Sequence, residues 1–420
     1  MKPLFPLIPI VSLLSASLAF AADPAAKAIN ELGLDLHRSI AAKKAGANLC
    51  LSPYSIQCAL AMTYAGADGV TKAEMAKVLH YPAGEGIHDS LPKLSQALAQ
   101  ITKETTAQAA EMKKFHGSAE PITFTLANRL FGQQAYSFHG PFLARLKDTY
   151  DAPIEKMDFS KSAAATKHIN DWVEKQTRNR IKALIPTGVI DAATRLVLVN
   201  AVYLKAPWAD AFSEAATKPE PFHMARGKAV KPVPTMRQER QYGYAKQDGY
   251  TAVTVPYFGG NVHFLVLVPD EVDGLAALER RITAAALANC ARLPVKDVIL
   301  HLPKFKIEGE GMSLAKELKA LGMKTAFNEP GGSADFSRMG PRTPSEYLFI
   351  SEVIHKTFIA LDEKGTEAAA ATAVIMALGG AFHPDPPKPI EVKADRPFLF
   401  AIQHAESGAC LFLGRVTVPN

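Results

Sequence analysis

Asp362-Glu-Lys-Gly-Thr-Glu367-Ala-Ala-Ala-Ala-Thr-Ala-Val-Ile-Met-Ala-Leu378 runs into Gly379-Gly380 and then into Ala381 to Pro389, a segment with four prolines. From Ala368 to Leu378 every side chain is uncharged and small or apolar, and no proline intervenes. Such a segment can enter a β-sheet. At strand period Thr366, Ala368, Ala370, Thr372, Val374 and Met376 share one face, while Glu367 lies on the other with Ala369, Ala371 and Ile375. A slip of one residue would bury Glu367, so the register is specified. The proline-rich continuation cannot pair in a central strand and reads as an exposed tether. A solvent-facing helix is the competing reading of the alanines, because alanine is the best helix former.

A chain of 420 residues leaves one large domain or two to three ordinary ones open, and 48% apolar residues support a sizeable core. The net charge of +6, without a long basic run, is too mild for a nucleic-acid partner. Lys2, the apolar run Leu4 to Phe20 and the pattern Ala19-Phe20-Ala21 read as a cleaved signal peptide, residues 1–21, leaving 22–420 as a single domain. Pro3, Pro6 and Pro9 interrupt that run, which is short for a membrane span. The expected location is therefore secreted or periplasmic, the expected chain an exported, bacterial-type one, and no membrane partner is expected. Cys50, Cys58, Cys290 and Cys410 lie far apart and read as buried thiols, although export would allow a pair. No Cys/His cluster has ligand spacing, so neither a metal nor a cofactor is expected.

Along the chain, helical spacing covers Ala25 to His37, Pro53 to Leu79, Leu91 to Met112, His139 to Tyr150 and Thr166 to Ile185. Strand patterns appear at Pro121 to Phe131, at the nearly continuous apolar run Thr194 to Leu204, and as several short strands between Val230 and Val268. Val298 to Ile307, Tyr347 to Leu361 and a closing hairpin, Phe398 to His404 with Cys410 to Val416, complete an α+β order without linkers.

Signatures of catalysis are sparse. Ser90-Leu-Pro-Lys93 and Ser313-Leu-Ala-Lys316 match the SxxK pattern of acyl-serine enzymes, yet no KTG partner follows. His355 has no nucleophile nearby in sequence and reads as a hydrogen-bonded core histidine. Asn200, inside an apolar strand, must find partners, and Ser52 and Ser55 have the same need. Lys113-Lys114 with His116 is a short basic patch, read as a solvated helix end rather than a polyanion site.

Several ordered motifs resemble the serpins: Asn48-Leu-Cys-Leu-Ser-Pro-Tyr-Ser-Ile56, Leu198-Val-Asn-Ala-Val-Tyr-Leu-Lys-Ala-Pro-Trp208, Leu302-Pro-Lys304-Phe305, and His355 with the 362–371 stretch. Asp395-Arg-Pro-Phe-Leu-Phe400 and Phe412-Leu-Gly-Arg-Val416 with Pro419 complete the set. The resemblance spans about Ala25 to Asn420. It implies three β-sheets with eight to nine helices and an exposed reactive-centre loop over about 363–394. It also implies a suicide-substrate inhibitor, not an enzyme. A serine protease, or a cysteine protease, cleaves the loop and is trapped as an acyl-enzyme while the loop inserts into the central sheet, which carries it roughly 50 Å. A non-inhibitory binding protein on the same fold is the alternative.

By the same resemblance Gly365, Thr366, Glu367, Ala368, Ala369, Ala370 and Ala371 form the hinge of the loop. Ser52, Ser55, Asn200 and His355 form a shutter network beneath the sheet, and Trp208, Lys304 and Glu363 form the breach where it opens, Lys304 pairing with Glu363. Counting from Glu363 places the reactive bond at Gly379-Gly380, with Met376, Leu378 and Phe382 as competing bait residues. Arg and Lys are absent from Glu367 to Pro387, which disfavours trypsin-like targets. Chymotrypsin-like, elastase-like, subtilisin-like or cysteine proteases remain, met by a monomer. The chain departs from the family at Ala206-Pro207, where Gly-Lys is common, and at Asp395, where Asn is usual.

Overall fold

The computed structural model describes residues 23–115, 119–192, 194–225, 227, 230–309, 311–344, 346–367 and 388–419. The chain begins with α1 (Pro24–Lys43), β1 (Leu49–Leu51), α2 (Pro53–Tyr64), α3 (Gly69–Val78) and α4 (Ile87–Lys114). Next come β2 (Thr123–Gln133), α5 (Gly140–Tyr150), β3 (Glu155–Met157), α6 (Ser162–Gln176) and β4 (Leu196–Pro207). The middle holds β5 (Lys218–His223), β6 (Val230–Gln247), β7 (Tyr250–Pro256), β8 (Val262–Pro269), α7 (Leu275–Arg281) and α8 (Ala284–Asn289). β9 (Val295–Pro303), β10 (Phe305–Glu308), β11 (Met312–Ser313) and α9 (Ala315–Leu321) precede the last third. That third contains β12 (Val353–Lys356), β13 (Phe358–Asp362), β14 (Gly365–Thr366), β15 (Ile390–Lys393), β16 (Phe398–His404) and β17 (Cys410–Val416).

Hydrogen bonding joins these strands into a nine-stranded and an eight-stranded ladder. Two of the three sheets expected for this fold share β6, which pairs with β5 at its start, β9 in its middle and β7 at its end. The handover falls at Gly243, paired with both Thr254 and Val295. A Cβ there would lie 2.2 Å from the Thr254 hydroxyl, so the crowded junction needs glycine.

The smaller ladder is centred on β4, buried along most of its length as its continuous apolar sequence requires. β2 pairs with β4 antiparallel from Thr123 to Gly132, and β12 pairs with it in parallel from Val353 to Lys356. Helix α6 covers this sheet: Ala165, Ile169 and Val173 pack on Phe131 of β2, Val199 and Ala201 of β4 and Ile354 of β12. The main core lies under the opposite face and includes Leu198, Val202 and Leu204 of β4, α2 and the β16–β17 hairpin.

Five expected boundaries change. Helical spacing through Ile185 stops at Gln176, because Arg178, Asn179 and Ala183 all adopt positive φ and the chain becomes a strap across the sheet. The short strands expected after Val230 begin with one 18-residue strand, β6. Val298 to Ile307 divides into β9 and β10 at Lys304, and Tyr347 to Leu361 becomes β12 and β13, divided at Thr357. The loop expected over 363–394 gives up both ends: Gly365–Thr366 is β14, and Ile390–Lys393 pairs with β9 as β15, turning Val392 inward.

Candidate functional site: a parted sheet and its hinge

β4 and β12 separate after four paired residues, the last being Ala201 with Lys356. Beyond that point Thr357 turns the chain into β13, whose other edge pairs with β10, and the edge of β4 from Val202 to Lys205 has no strand on the β13 side among the described residues. The gap is closed at one end by β14. Gly365 and Thr366 pair with Pro207 and Ala206 of β4, and with Asp362 and Leu361 of β13. Gly365 and Thr366, expected as the start of the hinge, therefore occupy one end of the lane between β4 and β13.

Gly365 can do this because it has no side chain. Its φ is 143°, and a Cβ would lie 2.2 Å from the Ala206 carbonyl oxygen and 2.7 Å from Pro207 Cα. Thr366 is 2% exposed, and its hydroxyl shares a hydrogen bond with the buried Tyr257 hydroxyl. Tyr257 in turn stacks on Trp208 with ring centroids 4.6 Å apart, and Trp208 Nε1 donates to the Asp362 carbonyl at 2.9 Å. Lys304 Nζ lies 2.8 Å from Glu363 Oε2, and the Thr217 hydroxyl donates to Glu363 Oε1 at 2.8 Å. Burial alone would raise the Glu363 carboxyl, but the bonds from Lys304 and Thr217 carry it below its ordinary value. Trp208, Lys304 and Glu363 thus meet at the end of the gap that β14 closes.

Below the parting point a polar network is sealed in the core. His355 Nε2 accepts the Ser52 backbone N–H at 3.1 Å, so the ring proton sits on Nδ1 and is donated to Asn200 Oδ1 at 2.7 Å. Asn200 Nδ2 donates to the Ser55 carbonyl and hydroxyl and to Asn128 Oδ1. Ser52 caps α2 and donates to the Leu411 carbonyl at 2.6 Å, tying the network to β17. Complete burial pushes His355 down to about 3, so it is a neutral structural ring at ordinary pH. Asn128 was not singled out from sequence. It stands opposite Asn200 on β2, and a lone Asn in the strand Phe124 to Leu130 is the signal that points to it.

Glu367, next after Thr366, turns out of the sheet with φ 48°, and its N–H donates to the Ala360 carbonyl at 2.8 Å. Its carboxylate pairs with Arg180 of the strap that follows α6. Hinge positions Ala368 to Ala371, the bond Gly379-Gly380 and Met376, Leu378 and Phe382 lie outside the described residues.

The SxxK serines are elsewhere. Ser90 is half-buried and donates to the Gly86 carbonyl at 3.1 Å, while Ser313 donates to Glu352 at 2.6 Å rather than to Lys316. All four cysteines are free and buried, with desolvation pushing each thiol up to about 12. Among the described residues no group of three His, Cys, Asp or Glu could hold a metal ion, and no helix is long and apolar enough to cross a membrane.

The comparisons agree with this fold. The family model described as "Serpin (serine protease inhibitor)" matches residues 27–419. Leukocyte elastase inhibitor from Sus scrofa is 37% identical over 92% of this chain and 97% of its own length. Uncleaved ovalbumin superposes with a TM-score of 0.76 at 28% identity, covering 94% of this chain and 100% of the other. A loop-inserted, cleaved ovalbumin mutant gives 0.77 at 27% identity with the same coverage. Overall likeness does not separate the two states; the pairing of Gly365 and Thr366 describes the state seen here. The chain belongs to the serpin family.

Proposed function

We propose that this serpin is a suicide-substrate inhibitor of serine proteases, with cysteine proteases as further targets. The observation that carries the reading is the lane between β4 and β13 that no strand among the described residues fills beyond β14, which has entered it in a register the following residues can continue. Extending that register places Ala368 opposite Leu204 and Ile359, Ala370 opposite Val202 and Thr357, and Thr372 opposite Asn200 and His355. The residues from Ala368 to Met376 carry no charge and no proline, so each can enter without a buried ion or a missing N–H. Completing the strand hydrogen-bonds both open edges, and that gain is what would carry a tethered protease across the sheet.

The cleaved bond is Gly379-Gly380 by spacing, with Met376, Leu378 or Phe382 as competing bait residues. Large apolar bait suits chymotrypsin-like, subtilisin-like or cysteine proteases, and small residues suit elastase-like ones. A leukocyte elastase inhibitor among the relatives favours the last. Export rests on the leader 1–21 alone; the relative from Sus scrofa gives no support to the bacterial-type expectation.

The test is incubation with a panel of proteases, followed by denaturing electrophoresis and mass spectrometry of the released C-terminal peptide. A denaturant-resistant complex with one protease class, and a peptide beginning near Gly380, is the expected result. Cleavage with no complex for any member of the panel would favour a non-inhibitory role on the same fold.

A further inference from the structure

The hinge stops at an unfavourable place. Glu367 holds a left-handed backbone, which costs a non-glycine residue about 1 kcal/mol or more. Its side chain is 9% exposed, and its Oε2 is buried without a hydrogen-bond partner. Burial raises this carboxyl, against the opposing influence of Arg180, Lys205 and Arg178. Something must compensate for holding a carboxylate there.

Arg180 does so from a fixed position. Its N–H donates to the Thr177 carbonyl at 3.0 Å, and the next N–H, of Ile181, donates to the Thr177 hydroxyl at 3.1 Å. Ile181, Leu184 and Ile185 belong to the apolar cluster between α6 and the sheet, and Lys356 Nζ donates to the Lys182 carbonyl at 2.9 Å. The strap is thus fastened to the surface it crosses. The Arg180 guanidinium also lies 5.5 Å from the Phe358 ring, on the far lip of the gap.

We propose that Arg180 is a positioning residue that arrests the hinge at Thr366, and that its ion pair with Glu367 sets the rate at which the loop enters the sheet. This deepens the inhibitory reading and rests on it. For the strand to advance, Glu367 must become extended and move opposite Lys205, leaving Arg180. Lys205 replaces that partner only in part, since its ammonium already pairs with Glu120 at 2.5 Å. Arg178 is turned to the Tyr203 ring, 5.6 Å away, and Lys306 to Phe358 and Glu308. Without Arg180 the strained stop loses its compensation, and the hinge moves forward.

The experiment follows spontaneous insertion in the uncleaved full chain, held below its unfolding transition. It counts the urea-resistant fraction and reads Trp208 fluorescence in a Trp172→Phe background; only two tryptophans exist, and Trp208 contacts the Tyr257 that holds Thr366. Arg180→Gln and Glu367→Gln should each convert about tenfold faster, as expected for loss of a half-buried ion pair. The double variant should match either single one, and Arg180→Lys should stay near the parent rate. An unchanged or slower Arg180→Gln, or additive effects in the double variant, would overturn the proposal. A parent protein cut in its loop gives the separate control. No gain in thermal stability there overturns the inhibitory reading and the arrest together, whereas a gain with unchanged variant rates overturns the arrest alone.

Discussion

Asn200 and His355 stand opposite each other on parallel strands and share a hydrogen bond of 2.7 Å that any strand entering between β4 and β12 must break. The bond depends on a neutral ring. His355 is held near 3 in the folded protein, against an ordinary value of 6.5. A depressed folded value means its contribution is complete above pH 6.5 and is lost as pH falls toward 3. The unfolding free energy should decline by about 1.4 kcal/mol per pH unit across that window for this one group. In His355→Gln, urea titrations from pH 7 to pH 4 should show a slope shallower by that amount, with lower stability at pH 7. An equal slope in the two proteins would contradict the buried, neutral assignment.

Thr366 occupies a sealed position against Tyr257, so Thr366→Arg should drive the hinge out of the sheet and keep it out. An unpaired guanidinium there costs several kcal/mol. The variant should be cleaved at the parent rate by the target protease and form no stable complex. Complex formation at the parent stoichiometry would show that the observed register is not the one used.

Cutting the intact protein between Met376 and Phe382 with any protease that leaves no complex should raise the melting temperature. A rise of about 10 °C or more corresponds to several kcal/mol in a chain of this length. The fragment after the cut should stay bound through β16 and β17. Most folded chains lose stability when nicked, so scanning calorimetry of cut and uncut samples decides it.

Lys304→Ala should cost about 0.5 to 1 kcal/mol at pH 7, a modest figure because the lysine is partly exposed. Glu363 sits below its ordinary 4.5, so the pair's contribution is present above that value and disappears as pH falls through the lower folded one. Parent and variant unfolding midpoints should converge in acid. A gap that persists at pH 3 would assign the loss to packing of the lysine stem instead.

Much of this was written in local sequence. The β16–β17 hairpin has the limits its apolar pattern and the turn at Ser407-Gly408 require, and β4 reads as buried on both faces from its unbroken branched residues. Asn200, Ser52 and Ser55 announce a network simply by being polar in apolar company. What local pattern does not carry is partnership. Nothing within Tyr347 to Leu361 marks Thr357 as the point where one strand abandons β4 for β10. That division is set by the Thr357 hydroxyl, which donates to the Cys50 carbonyl at 2.9 Å, more than 300 residues away. The entry of Gly365 and Thr366 into the sheet is equally remote, fixed by Ala206 and Tyr257. Asn128 carries the same polar signal in the strand Phe124 to Leu130, but only the cross-strand register names Asn200 as its partner.

The four cysteines close a different question. With each thiol pushed to about 12, the thiolate present near pH 7 is on the order of one part in 10⁵, and none is accessible for exchange. Each is held as a protonated, buried thiol. The loop insertion proposed above draws on strand pairing and burial, independent of the redox state of the thiols.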